Sequence, residues 1–273
     1  MDYLIPVLVG VWLIAAAFTD LKKREVPDWL NFSLLAILLG IKGVESILSM
    51  NVLPLVYAIA WAGIFFVIAI ALYYGRIFAG GDAKLLIALG PAFSSFTSAS
   101  NFFLNSLIVA SFYGVAWSIG LAIANRKKFK KNIFDISKKT FAMRIIGIIA
   151  AFVLLILSAL TKFAELSVLG VVMLSFPYIY TFVKTVEVSC LIKKVSPEKL
   201  TEGDWLVSNV RLGKKIIKAK FSGLNSQEIN FLRKGKKSVL IKEGIPFVPV
   251  FLISFLATII FGNFFFWIIQ GIL

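Results

Sequence analysis

Two aspartates stand where a carboxylate either does chemistry or costs free energy. Asp20 lies in "FTDLKKREVPDWLN" (residues 18–31), at the end of an apolar run. Asp82 lies in "AGGDAKLLIALG" (79–90), at the start of another. An acidic side chain at the rim of a membrane helix is expensive unless something uses or satisfies it. Two carboxyls held close together share one proton, because two like charges do not readily coexist. The ionised member then takes a proton from water, and the protonated member polarises a peptide carbonyl. That is hydrolytic chemistry needing no metal, histidine or cofactor. A structural reading stands beside it. In that reading Asp20 ends a span and is solvated, and Asp82, after Gly80 and Gly81, caps a helix N-terminus. The residue types alone leave both readings open.

Composition decides what surrounds these residues. The chain has 273 residues, of which 59% are hydrophobic, and its mean hydropathy is +0.91. Continuous apolar runs of about 20 residues read as membrane-spanning helices. In lipid such a run satisfies its own backbone hydrogen bonds as a helix, and the runs do not alternate as barrel strands do. There is no histidine, which excludes Ser-His-Asp and Cys-His triads, HExxH zinc sites and His-ligated haem. The single Cys190 excludes an internal disulfide and any multi-cysteine metal cluster. No metal and no cofactor is expected. The net charge of +15 reads as loop bias of a membrane protein rather than nucleic-acid binding, since the basic residues lie between spans.

Eight apolar segments are expected near residues 3–19, 29–48, 52–74, 81–97, 102–124, 145–161, 166–186 and 245–270. The first lacks a basic n-region and a cleavage site, so it reads as a span rather than a signal peptide. The fourth is short and contains Pro91, where a kink is expected. Basic residues concentrate in alternate connections. Lys22, Lys23 and Arg24 follow the first span, and Arg76 follows the third. Eight basic residues between Arg126 and Arg144 follow the fifth, and thirteen between Lys193 and Lys242 follow the seventh. The other connections contain only Lys162. By the positive-inside rule the basic connections are cytoplasmic and both termini lie outside. Asp20 and Asp82 then share one membrane depth, on the cytoplasmic side of the cell membrane.

The expected fold class is therefore an all-α polytopic membrane protein of about eight transmembrane helices, with a small cytoplasmic α+β insertion before the last helix. Its parts are a membrane core at 1–124, a basic cytoplasmic loop at 125–144, additional membrane helices at 145–192, a small cytoplasmic domain at 193–242 and a C-terminal membrane helix at 243–273. In the small domain, "DWLVSNVRLGKKIIKAKF" predicts short strands. "NSQEINFLRKG" predicts a short helix that starts at Asn225 or Ser226, with Glu228 in its first turn and Gly235 as its stop.

Several neighbours of the aspartates have candidate roles. Pro27 fixes the turn that returns the chain into the second span, or is an ordinary loop proline. Gly80 and Gly81 permit a tight turn or a close backbone approach. Lys84 reads more simply as a snorkelling anchor than as a reacting group.

These residues carry a resemblance. "TDLKKREVPDWLN" resembles the first signature of the prepilin peptidase family: an Asp, then a Val/Ile-Pro, then an Asn or Asp. "AGGDAKLL" is similar to that family's Gly-x-Gly-Asp motif with its following Lys-Leu, although Ala79 stands where the first glycine is usual. The resemblance is strongest over residues 1–124, and "IKEGIPFVPVFLISF" is similar to the start of the last span in archaeal members. It implies a membrane aspartyl protease of the archaeal preflagellin and prepilin peptidase type, with Asp20 and Asp82 catalytic. It implies that Gly80, Gly81, Lys84 and Pro27 support the active site. The implied partners are prepilin-like or archaellin precursors, cut between a short basic leader and an apolar helix on the cytoplasmic side. A basic leader needs acidic partners, and Glu25 and Asp28 are best placed for that role. The basic loops suit anionic membrane lipids, and no nucleic acid is expected. The paired Cys-x-x-Cys motifs of bifunctional bacterial members are missing, so methyl transfer is not implied. A proton- or cation-coupled transporter would use the same acidic pair, but it would favour the bilayer midplane over one rim.

Overall fold

The apolar runs become helices because a backbone deprived of water must pair with itself. The computed structural model describes residues 3–75, 77–212, 215–220 and 223–263. Among these, six helices are long and apolar enough to cross a membrane. The protein is a polytopic α-helical membrane protein with a small strand-containing insertion before its last helix. The chain divides into two compact units, Met1–Val115 with Gly244–Leu273, and Ala116–Glu243.

The first unit contains α1 (Leu4–Lys23), α2 (Asp28–Leu48), α3 (Leu53–Tyr74), α4 (Gly80–Leu89), most of α5 (Phe96–Ala124) and α10 (Val248–Phe261). Its core joins Val9 and Leu13 of α1, Leu34 and Leu38 of α2, Phe65 of α3, Leu85 and Leu89 of α4, Phe102 of α5 and Phe251 of α10. The outward faces carry large apolar side chains such as Val7, Ile14, Phe32, Ile59 and Val67, as lipid-facing helices do.

The fourth apolar segment differs from the expected span over 81–97. Its helix has ten residues, about 15 Å of rise, against a hydrocarbon core of about 30 Å. Pro91 has no N–H to continue the ladder. A 3₁₀ turn at Gly90–Ala92 follows, and Phe93 is extended. The next helix therefore begins at Phe96, six residues before the expected start at residue 102. Gly90 lets this turn lie directly on α3, since a Cβ there would stand 2.6 Å from the Ala62 Cα. An aromatic cluster fills the space around the break. Phe93 meets Phe65 and Phe102 at centroid distances of 5.7 and 5.1 Å, and Phe102 meets Phe251 at 6.2 Å. The last segment forms α10 as expected, and residues 264–270 of that expectation lie outside the described residues.

The second unit contains α6 (Arg126–Lys139), α7 (Phe141–Thr161) and α8 (Ala164–Val186), which ends in a π turn at Glu187–Leu191. The basic stretch read as a loop is helical over Arg126–Lys139. Phe129, Ile133 and Ile136 recur there at helical spacing, which was the available signal. The insertion contains β1 (Ile192–Val195), β2 (Trp205–Leu206), β3 (Val210–Leu212), β4 (Lys215–Ile217), α9 (Ser226–Lys234) and β5 (Val239–Lys242). β5 lies between β1 and β2, antiparallel to both, and β3 pairs antiparallel with β4. The insertion has its own small core, including Leu200, Leu206, Leu224, Leu232, Val239 and Ile241. The capping expectation for α9 holds. Asn225 Oδ1 accepts the Glu228 N–H at 2.8 Å, and Glu228 Oε2 accepts the Asn225 N–H at 3.2 Å.

Candidate active site

Asp20 sits in the last turn of α1 and Asp82 in the first turn of α4, both nearly fully buried. The chain turns sharply after Asp20. Arg24 adopts a left-handed conformation (φ 57°, ψ 32°), and its N–H returns to the Asp20 carbonyl at 2.7 Å. This closes α1 in the manner of an αL cap. Pro27 (φ −59°, ψ 138°) then sets the entry into α2. Between them, Val26 buries itself against α4. A Cβ on Gly81 would stand 3.2 Å from the Val26 backbone nitrogen and 3.3 Å from its Cβ. Gly81 therefore earns its place by close approach, whereas a Cβ on Gly80 would meet nothing within 4 Å. This contact of the α1–α2 turn with the start of α4 brings the two aspartates to one end of the unit.

Each carboxylate is anchored by a backbone N–H at a helix start. Asp20 Oδ2 accepts the Val248 N–H at 2.9 Å. Val248 opens α10, whose N-terminus has no side-chain cap from Phe247. Asp82 Oδ2 accepts the Ala79 N–H at 3.2 Å. The capping reading of Asp82 is thus partly correct, with the side chain acting from the third helical position back onto Ala79. Its Oδ1 takes no hydrogen bond from any described residue. Ala79 itself is extended at φ −75° and ψ 165°, a conformation open to any residue, so alanine in place of the usual glycine brings no backbone strain.

The other predicted residues fall around the rim. Lys84 Nζ bonds Asp28 Oδ1 at 2.6 Å, in a half-exposed pair that ties α4 to α2. The same ammonium lies 6.0 Å from the Phe32 ring centroid. Glu25 is exposed on the turn itself. The Arg24 guanidinium bonds the Gly244 carbonyl, linking the turn to the chain that leads into α10. Among the described residues no group of three or more His, Cys, Asp or Glu side chains gathers.

Two features escaped sequence reasoning. The N-terminus of α10 as the anchor of Asp20 joins residues 228 positions apart, and only an uncapped helix start after "GIPF" hinted at it. Asn31 was the other. It lies on the buried stripe of α2 with Leu34, Leu38 and Lys42, where a polar residue in an apolar period was the available signal.

The structure buries two carboxyls, each oriented through one oxygen by a backbone N–H, one at the end of α1 and one at the start of α4. Such a pair can exchange a proton and activate water. Residues 7–119, which include both aspartates and the whole of α4, match the family model described as the type IV leader peptidase family. Comparisons with curated proteins and with solved structures each returned no match.

Proposed function

We propose, because residues 7–119 match the model described as the type IV leader peptidase family, that this protein is an aspartyl endopeptidase. It removes the short basic leader from prepilin-like or archaellin-like precursors. One observation carries this reading: Asp20 and Asp82 are both buried, at helix ends that the packing of Val26 on Gly81 brings to one end of the first unit. Structural caps alone do not require that arrangement.

The reaction follows from the pair. The dyad holds one proton. Its ionised carboxylate takes a proton from water as the oxygen attacks the scissile carbonyl, and its protonated carboxyl donates to the carbonyl oxygen. Collapse of the tetrahedral intermediate breaks the C–N bond, and the proton gathered from water passes to the leaving amine. The backbone N–H groups of Val248 and Ala79 hold the carboxylates in place before substrate arrives, so orientation does not have to be gained during the reaction.

The site opens to the cytoplasm in this account, because the basic connections assign that face. The precursor's apolar helix stays in the bilayer while its leader lies across the turn at 24–28. Glu25 and Asp28 contact the basic residues of the leader, and the basic helix α6 rests against anionic headgroups. The direct test is to incubate membranes containing the protein with a full-length precursor and sequence the new N-terminus. Leader loss at one defined bond is expected. An uncut precursor across a panel of prepilin-like and archaellin-like sequences would overturn the reading.

A further inference from the structure

Asn31, in the first turn of α2, is 1% exposed. Neither its Oδ1 nor its Nδ2 has a hydrogen-bond partner among the described residues. An amide buried in this way leaves the desolvation of a strong donor and a strong acceptor uncompensated. Other buried polar side chains of the first unit are bonded. Lys42 reaches Glu45 and Ser94, Asn105 reaches Thr258 and the Gly262 carbonyl, and Ser254 reaches the Val250 carbonyl. The orphaned amide therefore needs an account of its own.

Its position supplies one. Two links set the register between α2 and α4: Asp28 with Lys84, and Lys42 with Ser94 just past the end of α4. Both partners advance together along the chain, so the helices run parallel. Asn31 precedes Lys42 by three helical turns and shares its face. It thus falls opposite the stretch from Ala83 to Ile87, which begins next to Asp82 and ends about one and a half turns beyond it. Ala83 and Leu86 there are buried and apolar, and neither side chain can pair with an amide.

A peptide about to be cut beside a membrane has a matching need. The bond must leave any helix to be reached, which frees its flanking N–H and C=O groups where water is scarce. A carboxamide offers a donor and an acceptor side by side, the complement of one extended peptide group. Resting on the peptidase reading above, we propose that Asn31 is a main-chain ligand of the precursor. It holds the peptide group next to the scissile bond so that the carbonyl faces the dyad. Because it reads backbone and not side chains, it positions precursors of differing sequence equally.

The test uses the full-length protein in liposomes, with Asn31→Leu, Asn31→Thr and Asp82→Asn variants. Each is given a precursor, and versions in which one backbone amide flanking the scissile bond is replaced by an ester. Leucine removes an orphan from the core, so thermal stability should hold or rise. Cleavage should nonetheless fall roughly 10- to 100-fold in kcat/KM, and threonine should recover part of it. At one position the ester should slow the wild type several-fold, as expected for a lost N–H donor, and leave Asn31→Leu unaffected. Wild-type cleavage rates for Asn31→Leu would overturn the proposal. So would an activity loss that merely tracks a lower Tm, or equal ester sensitivity in both proteins. If instead the wild type leaves the precursor uncut, or Asp82→Asn cuts as well as wild type, it is the peptidase reading that fails.

Discussion

The two units of this protein bury different kinds of polar side chain. In the unit spanning Ala116–Glu243, the buried polar residues include Thr140, Thr181 and Thr185. Their hydroxyls return to carbonyls four residues earlier in their own helices, and Thr140 also meets Thr181 at 2.8 Å. Packing explains these groups completely. Many of the unit's charges lie outside its core, as in α6 and in the pairs of Glu187 with Lys184 and Lys242, although the Arg144 Nε is buried without a hydrogen-bond partner among the described residues. In the first unit the buried polar residues include Asp20, Asn31, Lys42 and Asp82. Carboxyls and amides are far costlier to bury than hydroxyls that fold back on their helix. A fold that only needed a core would not gather them. On the proposed reading Asp20, Asn31 and Asp82 are held for chemistry, while Lys42, bonded to Glu45 and Ser94, serves structure.

The contrast is broken most severely at the dyad. Asp20→Asn or Asp82→Asn should lower kcat/KM by at least about 1,000-fold, as loss of a general acid–base group does. Both variants should insert normally, because an asparagine oxygen still accepts the Val248 or Ala79 N–H. Activity assays on membranes with matched protein levels check this, and near wild-type cleavage by either variant would return the aspartates to a capping role.

Next come the glycines. Gly81→Val puts bulk where Val26 packs and should cost roughly 10- to 100-fold in kcat/KM by shifting α4 against the turn. Gly80→Ala has open space and should retain activity. Equal losses at both positions would mean that the turn is not what sets the spacing of the aspartates.

A smaller effect belongs to the second unit. Thr181→Val removes the bond to Thr140 and should destabilise that unit by about 1 kcal/mol, with kcat/KM changed by less than about twofold. Thermal unfolding and cleavage measured on the same preparation separate the two. A large kinetic loss at unchanged stability would erase the distinction between the units.

The smallest effect is at the rim. Glu25→Gln with Asp28→Asn should weaken cleavage of basic leaders about fivefold at low salt, and of charge-neutralised leaders less, because exposed pairs are weak and screened. Lys84→Gln breaks the same Asp28 pair while keeping the carboxylate. If it reproduces the loss, Asp28 acts through α4 and not on the leader.

What sequence reveals here depends on how local the cause is. Asp20 and Asp82 were legible because a charge at the rim of an apolar run is visible in a few residues. The cap of α9 was legible because Asn225 and Glu228 bond each other across a single turn. Pro91 foretold a disturbance, but not that α4 would stop at Leu89, because the outcome depends on Gly90 seating the turn against Ala62. The anchoring of Asp20 by α10 was hidden, since it joins opposite ends of the chain. The isolation of Asn31 was hidden for a related reason. It depends on which residues of α4 come to face it, and that is fixed by two side-chain links between helices rather than by neighbouring sequence.

The central claim is that Asp20 and Asp82 act as one unit. The most direct measurement is a double-mutant cycle on leader cleavage, with wild type, Asp20→Asn, Asp82→Asn and the double variant compared at matched amounts in the same membranes. A shared-proton dyad predicts that each single change removes nearly all activity and that the double variant is no slower than either single. Losses that multiply, with the double variant slower by the product of the two single effects, would show two independent carboxylates and contradict the account.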